Sequence, residues 1–195
     1  NTVGHIWRIN RDGSFDSSYT AGSGLVMEYN STQGDLPRTL IYDEERGMAV
    51  TGGQFNSYND EPVPPVIRIN SDGTRDTSFN YNLSNLGWVN QLVQIGDYYY
   101  AAIRLNPEFS QGYEEPSVIV KIDKIDGSAH ILMGLVGDEI NPCLLANQGN
   151  LIFGTSNGKA TLYVPADGFG ICGPVQIIIQ PQDAVVGIAT VRGDL

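Results

Sequence analysis

The sequence is short of positive charge. Eleven Lys and Arg face 22 Asp and Glu, a formal net charge of −11 over 195 residues. The lysines Lys121, Lys124 and Lys159 are scattered, and no basic stripe is present to follow a phosphate backbone. Nucleic-acid binding by charge is therefore not expected, nor is attraction to an anionic membrane surface. No apolar run approaches the roughly 18 residues of a spanning helix, so membrane insertion is not expected either. Cysteine is scarce. Cys143 and Cys172 can stay as two thiols or form one bridge, but they cannot staple a disulfide scaffold. The opening Asn1-Thr2-Val3-Gly4 has neither a Met nor the pattern of a signal peptide, and it reads as a processed chain or an excerpt. No segment carries a convincing amphipathic helical period.

What is there suffices for a core. Hydrophobic residues make up 41% of the chain. The length suits one domain, or one with a small appendage. With only 17% charged residues, the surface must be built largely from Asn, Gln, Ser, Thr and Gly.

An internal repeat organises the chain. Ile6-Trp7-Arg8-Ile9-Asn10-Arg11-Asp12-Gly13-Ser14-Phe15-Asp16-Ser17-Ser18-Tyr19 returns as Val66-Ile67-Arg68-Ile69-Asn70-Ser71-Asp72-Gly73-Thr74-Arg75-Asp76-Thr77-Ser78-Phe79. The offset, from Arg8 to Arg68, is 68 − 8 = 60 residues. A worn third copy, Val118 to Gly127, keeps a cation (Lys121), an isoleucine (Ile122) and Asp126-Gly127, and loses the Asp-x-Ser-aromatic tail. The alternation Ile67-Arg68-Ile69-Asn70 predicts a half-buried strand. Asp-Gly then predicts a tight turn with positive φ. The closing aromatic, Tyr19 or Phe79, is placed to close a hydrophobic layer on the next unit. Strand-like runs at 38–42 and 48–53 precede the second copy. Runs at 88–95, 98–103, 118–122 and 129–132 follow it, and then runs at 143–146, 151–154 and 159–164. Four short strands per unit, joined by Gly-rich turns, predict an all-β fold of propeller-like four-stranded blades.

The segment Gly52-Gly53-Gln54-Phe55, Ser57-Tyr58-Asn59 and Val66 to Phe79 resembles the delta-60 repeat of β-propellers. The third unit departs from that pattern, with Ala101-Ala102-Ile103-Arg104 in place of Gly-Gly-x-Phe, and the fourth matches only as a generic blade. The resemblance covers roughly residues 4–165. It implies a scaffold of bacterial surface proteins and bacteriophage tail proteins, and no common catalytic activity. On this reading residues 1–170 are propeller-type blades, partial or open. Residues 171–195 are a C-terminal β extension, or the start of a following domain. There, Ile177-x-x-Gln180-Pro181 followed by Val186 resembles the entry strand of bacterial and phage immunoglobulin-like domains, and 189–195 resembles the short β segments of phage fibres. The reading that follows is a non-enzymatic structural or adhesion component of a phage virion, tail or fibre associated. Its partners would be other virion proteins or copies of itself, a trimer by analogy with phage fibres, and a host surface glycan or protein. The alternative is an extracellular bacterial surface-binding propeller module.

The motif residues Arg8, Asn10, Asp12, Gly13, Asp16, Arg68, Asn70, Asp72, Gly73, Asp76 and Phe79 are expected to be structural. Asn-x-Asp-Gly-x-x-Asp resembles part of a calcium loop, but a full loop needs more oxygens and a terminal Glu. The turn reading, with Asp and Asn bonding their own backbone, is preferred, so no metal or other cofactor is expected. Arg8 and Arg68 are expected to pair with Asp16 and Asp76 rather than read an anionic ligand. His5 and His130 stand alone, and no catalytic set is readable. Asp60-Glu61 and Glu114-Glu115, each before a proline, are read as solvated charge in mobile loops rather than as a glycosidase pair. Trp88, Tyr98 and Tyr100 are candidates for ligand stacking, although alternation must turn one or two of the tyrosines at 98–100 into the core. The tripeptide Arg192-Gly193-Asp194 is read as chance.

Overall fold

The structure is a computed structural model that describes residues 6–20, 22–26, 36–84, 86–106, 117–135, 143–147, 150–154, 160–163 and 175–177. Its regular elements are all strands, and no helix is found among the described residues. A first small sheet comprises β1 (Leu25–Val26), β4 (Ser57–Tyr58) and β5 (Glu61–Pro62). Strands β2 (Leu36–Asp43), β3 (Met48–Gln54) and β6 (Val66–Ile69) form the next, in that order. Strands β7 (Gly87–Ile95), β8 (Tyr98–Leu105), β9 (Ser117–Asp123) and β10 (Ala129–Leu135) form a four-stranded meander. So do β11 (Cys143–Asn147), β12 (Asn150–Gly154), β13 (Ala160–Tyr163) and β14 (Val175–Ile177). Every pairing is antiparallel.

The leading strands lie side by side. β7 rests against β2 and β3 of the preceding sheet and against β11 of the following one. Residue-by-residue alternation then serves two cores at once. On β8, Tyr99, Ala101 and Ile103 join the cluster of Val50, Val66, Phe79, Val89 and Leu92 on one face. Tyr100 and Ala102 join Ile119 and Leu151 on the other. On β6, Val66 faces the first of these clusters, while Ile67 and Ile69 face a third with Ile6, Leu25, Phe55 and Tyr58. Each middle sheet is therefore covered on both sides. This corrects the expectation of a half-buried strand, because all four residues of β6 are buried, Arg68 included. Close approach between sheets is what Gly52 permits. A Cβ there would lie 2.7 Å from a methyl carbon of Val89 on β7.

Two further expectations change. The return arm of the Asp-Gly hairpin is not a full strand: one bridge, Ile69 to Arg75, stands in its place, as Ile9 to Phe15 does in the first copy. Only the glycine of the turn has positive φ, +87° at Gly13 and +90° at Gly73. The Gly73 amide donates to the Asn70 carbonyl at 3.0 Å and the Asn70 amide to the Thr74 carbonyl at 2.8 Å. This is a type I turn closed by a glycine bulge, which needs one left-handed residue rather than two. At the start of the C-terminal piece, Val175–Ile177 pairs with β13, with Val175 opposite Leu162. The resemblances at 178–195 lie outside the described residues.

Candidate functional site

The repeated motif builds a contact between consecutive sheets. In the second copy, Arg68 projects from β6 onto the face that carries Val66. Its Nε donates to Asp76 Oδ2 at 2.7 Å, and its other nitrogens donate to the Lys124 carbonyl and, at 3.2 Å, to the Ile125 carbonyl. The guanidinium carbon lies 4.7 Å from the centroid of the Phe79 ring. Phe79 in turn meets Tyr99 of β8 edge-on, with centroids 6.2 Å apart. Asp76 is held for this role by its own tail, because Oδ1 accepts from the Ser78 amide and hydroxyl at 2.9 and 2.6 Å. Burial pushes the Asp76 carboxyl up. The Ser78 hydroxyl, Arg68 and the Ser78 amide together outweigh it and hold the group below the usual carboxylate range.

The first copy repeats the arrangement on the second hairpin. Arg8 Nε donates to Asp16 Oδ2 at 2.8 Å, another of its nitrogens donates to the Ser71 carbonyl, and its guanidinium lies 5.4 Å from the Tyr19 ring centroid. Ser71 stands three residues after Arg68, as Lys124 stands three after Lys121. Each arginine thus reaches the same point on the next hairpin. A backbone bond accompanies each reach, from the Thr20 amide to the Asp72 carbonyl at 2.8 Å and from the Asn80 amide to the Asp126 carbonyl at 2.6 Å. The turn glycine allows that approach. A Cβ on Gly73 would lie 2.8 Å from Thr20 backbone atoms, and one on Gly127 would lie 2.8 Å from the Asn80 nitrogen.

Gly73→Ala and Gly127→Ala are accordingly expected to cost more stability than Gly13→Ala. All three positions carry positive φ, so each alanine bears about 1–2 kcal/mol of left-handed strain. Only the first two add a backbone collision, since a Cβ on Gly13 meets nothing within 4 Å. Chemical denaturation of the three variants tests this ranking.

The sequence did not single out a second lock at the same interface. Asp43, at the end of β2, shares strand parity with Ile41, which packs on the buried cluster. Its carboxylate accepts from the Tyr99 hydroxyl, lies 3.6 Å from Lys124 Nζ and pairs with Arg46 at 3.3 Å. Lys124 is 1% exposed and also donates to Glu45 at 3.1 Å and to the Gly96 carbonyl at 3.2 Å. Burial pushes the Asp43 carboxyl up, but Tyr99, Lys124 and Arg46 win and hold it low. Asp43 and Asp76 therefore both have depressed folded pKa values. Their contribution is complete above the unfolded value of about 3.9 and is lost as pH falls through the lower folded values. Thermal stability is expected to drop on acidification below about pH 4. Asp76→Asn should flatten that drop while lowering stability at pH 7. A melting series across pH in both proteins checks it.

The turn carboxylates bond inward. Asp12 Oδ1 accepts from the Ser14 amide and hydroxyl, and Asp72 Oδ1 from those of Thr74, while the side chains of Asn10 and Asn70 donate to the same two hydroxyls. These bonds hold Asp12 and Asp72 below the ordinary carboxylate range. No group of three or more His, Cys, Asp or Glu stands ready for a metal ion among the described residues. His130 is exposed on β10, and Asn82 accepts from the Ala129 amide at 2.7 Å.

The three stacking candidates do not form one platform. Tyr100 is 1% exposed within the core, so it has no ring face for a ligand. Trp88 pairs with Arg104 at one end of the β7–β8 ladder, and Tyr98 with Ile95 at the other. Arg104 covers the Trp88 ring at 5.1 Å and Lys121 the Tyr98 ring at 3.5 Å. Asp60-Glu61 is not in an irregular loop. Tyr58 pairs with Glu61 across Asn59 and Asp60, both at positive φ, and Asn59 and Asp60 accept from the Gly24 amide and the Ser23 hydroxyl, each at 3.0 Å. His5, Glu114-Glu115, Cys172 and Arg192-Gly193-Asp194 lie outside the described residues.

Antiparallel sheets set side by side, with neighbouring leading strands and cores between sheets, are consistent with a β-propeller-type domain. Residues 48–79, which run from β3 to the end of the second motif copy, match the family model described as "Domain of unknown function (DUF5122) beta-propeller". That match supports a β-propeller family. No curated protein matches the chain.

Proposed function

We propose that the chain is a non-enzymatic propeller-type scaffold built of delta-60 units. In this reading it is a structural or adhesion component of a bacteriophage virion, associated with the tail or a fibre. The observation that carries it is the use made of the motif's charged side chains. Arg8, Asp16, Arg68 and Asp76 are spent on bonds within each hairpin and onto the next one. A motif consumed in this way supports a scaffold whose binding would lie on variable outer surfaces. The resemblance to repeats of phage tail proteins supplies the virion context.

Immunogold electron microscopy of the producing culture, with antibody to this chain, tests the assignment. Gold on particles, at the tail or its fibres, is the expected result. Gold on the bacterial envelope with bare particles would favour the surface-binding module instead. Turnover on a glycan panel would overturn the non-enzymatic reading.

A further inference from the structure

Two β-bulges meet where β7 rests against β2. The β2–β3 register passes from Pro37 to Thr39 and skips Arg38, and the β7–β8 register passes from Val89 to Gln91 and skips Asn90. A bulge takes its extra residue out of the ladder and can re-aim that side chain. Here the two extra residues are aimed at each other, since Arg38 Nη1 donates to Asn90 Oδ1 at 3.2 Å. Two residues before Asn90, Trp88 carries the Arg104 guanidinium over its ring at 5.1 Å. Two guanidiniums thus share one corner, near the starts of β2 and β7 and the end of β8. Their charges are felt. Arg104 is held below its ordinary value, by burial first and by the Arg38 charge second. Carboxylates are plentiful in a chain of net charge −11, and Arg8, Arg46 and Arg68 each pair with one. Arg38 is exposed and pairs with none among the described residues. In the same corner Trp88 Nε1 is buried with no hydrogen-bond partner, and an unpaired buried donor bears its full desolvation cost.

We propose that this corner is a binding site for an oxyanion, the carboxylate or phosphate group of a small ligand, with Arg38 as its principal contact. A guanidinium has five N–H groups, and Arg38 gives one nitrogen to Asn90. The remaining fork matches two oxygens of a carboxylate or phosphate. Asn90 steadies the guanidinium from its acceptor side. The anion offsets the repulsion between Arg38 and Arg104, and it brings an acceptor to the corner where the Trp88 N–H lacks one. The site draws on no residue of the repeated motif, so ligand binding and the fastening of the hairpins are separable. The inference holds whether or not the protein belongs to a virion.

The test uses the Trp7→Phe chain, in which Trp88 is the sole tryptophan. Its emission is followed while sodium phosphate, sodium glucuronate or glucose is added, with sodium chloride holding the ionic strength constant. A saturable change with phosphate or with glucuronate is expected, and none with glucose. A response to phosphate alone assigns a phosphate ligand, and one to glucuronate alone assigns a carboxylate. Arg38→Ala should weaken the half-saturation point about tenfold or more, as loss of a hydrogen bond to a charged group does. The same variant should not lower the thermal midpoint of the ligand-free protein, because Arg38 is exposed and bonds only the Asn90 side chain. Arg38→Lys, which keeps the charge and loses the fork, should fall between the two. No saturable change with either anion would overturn the proposal. So would equal affinity in Arg38→Ala, or a glucose response matching that of glucuronate.

Discussion

Arg68→Ala is expected to lower the unfolding free energy by about 3–5 kcal/mol, the cost of stranding one partner of a buried ion pair. Arg68 is buried, bonded to Asp76 and to two carbonyls of the next hairpin, and stacked on Phe79. Removing it leaves Asp76 and both carbonyls without their cation. Arg8→Ala is the internal control. Its side chain is 41% exposed, so solvent already screens the pair, and about 1 kcal/mol or less is expected. Urea denaturation of the two variants compares nearly identical bonding patterns that differ chiefly in burial. Equal losses would mean that sheet-to-sheet burial is not what gives the motif its value.

Lys124→Ala is the second large effect, about 3 kcal/mol, because it removes the buried one of the two cations paired with the buried Asp43 and leaves only Arg46, whose side chain is 30% exposed. The pair is coupled, so the double variant Asp43→Asn with Lys124→Ala should be more stable than the losses of Asp43→Asn and Lys124→Ala added together predict. A double-mutant cycle by calorimetry reads that difference. Additive losses would show that Lys124 acts only through its bonds to Glu45 and Gly96, and not through Asp43.

Much of this architecture was legible because the relevant signals are local. Short runs rich in apolar residues mark β3, β7 and β9, and Asp-Gly marks the turns. The pairing of Arg68 with Asp76 follows from recurrence at fixed spacing. The burial of β6 on both faces was not legible. Alternation of apolar with polar residues ordinarily signals one wet face, and here the polar member is buried because its partners come from elsewhere in the chain. The small sheet of β1, β4 and β5 escaped notice because two-residue strands show no period. Its turn uses Asn59 and Asp60, residues that tolerate positive φ without glycine. Asp43 opens the polar run Asp43-Glu44-Glu45-Arg46, which by itself signals a turn, although its parity with Ile41 points inward. The tyrosines at 98–100 divide by parity, with Tyr99 in one core and Tyr100 in the next. Sequence alone cannot show that both sides of that strand have a neighbour.

The central claim is that the repeated motif fastens one sheet to the next. Native-state hydrogen exchange at the Asn80 amide tests it most directly, since that group donates to Asp126 across the interface, next to the carbonyls that Arg68 holds. In Arg68→Ala the amide should lose protection by a factor on the order of 100–1,000, the equivalent of about 3–4 kcal/mol. Protection at Asn80 unchanged from the parent protein would contradict the account.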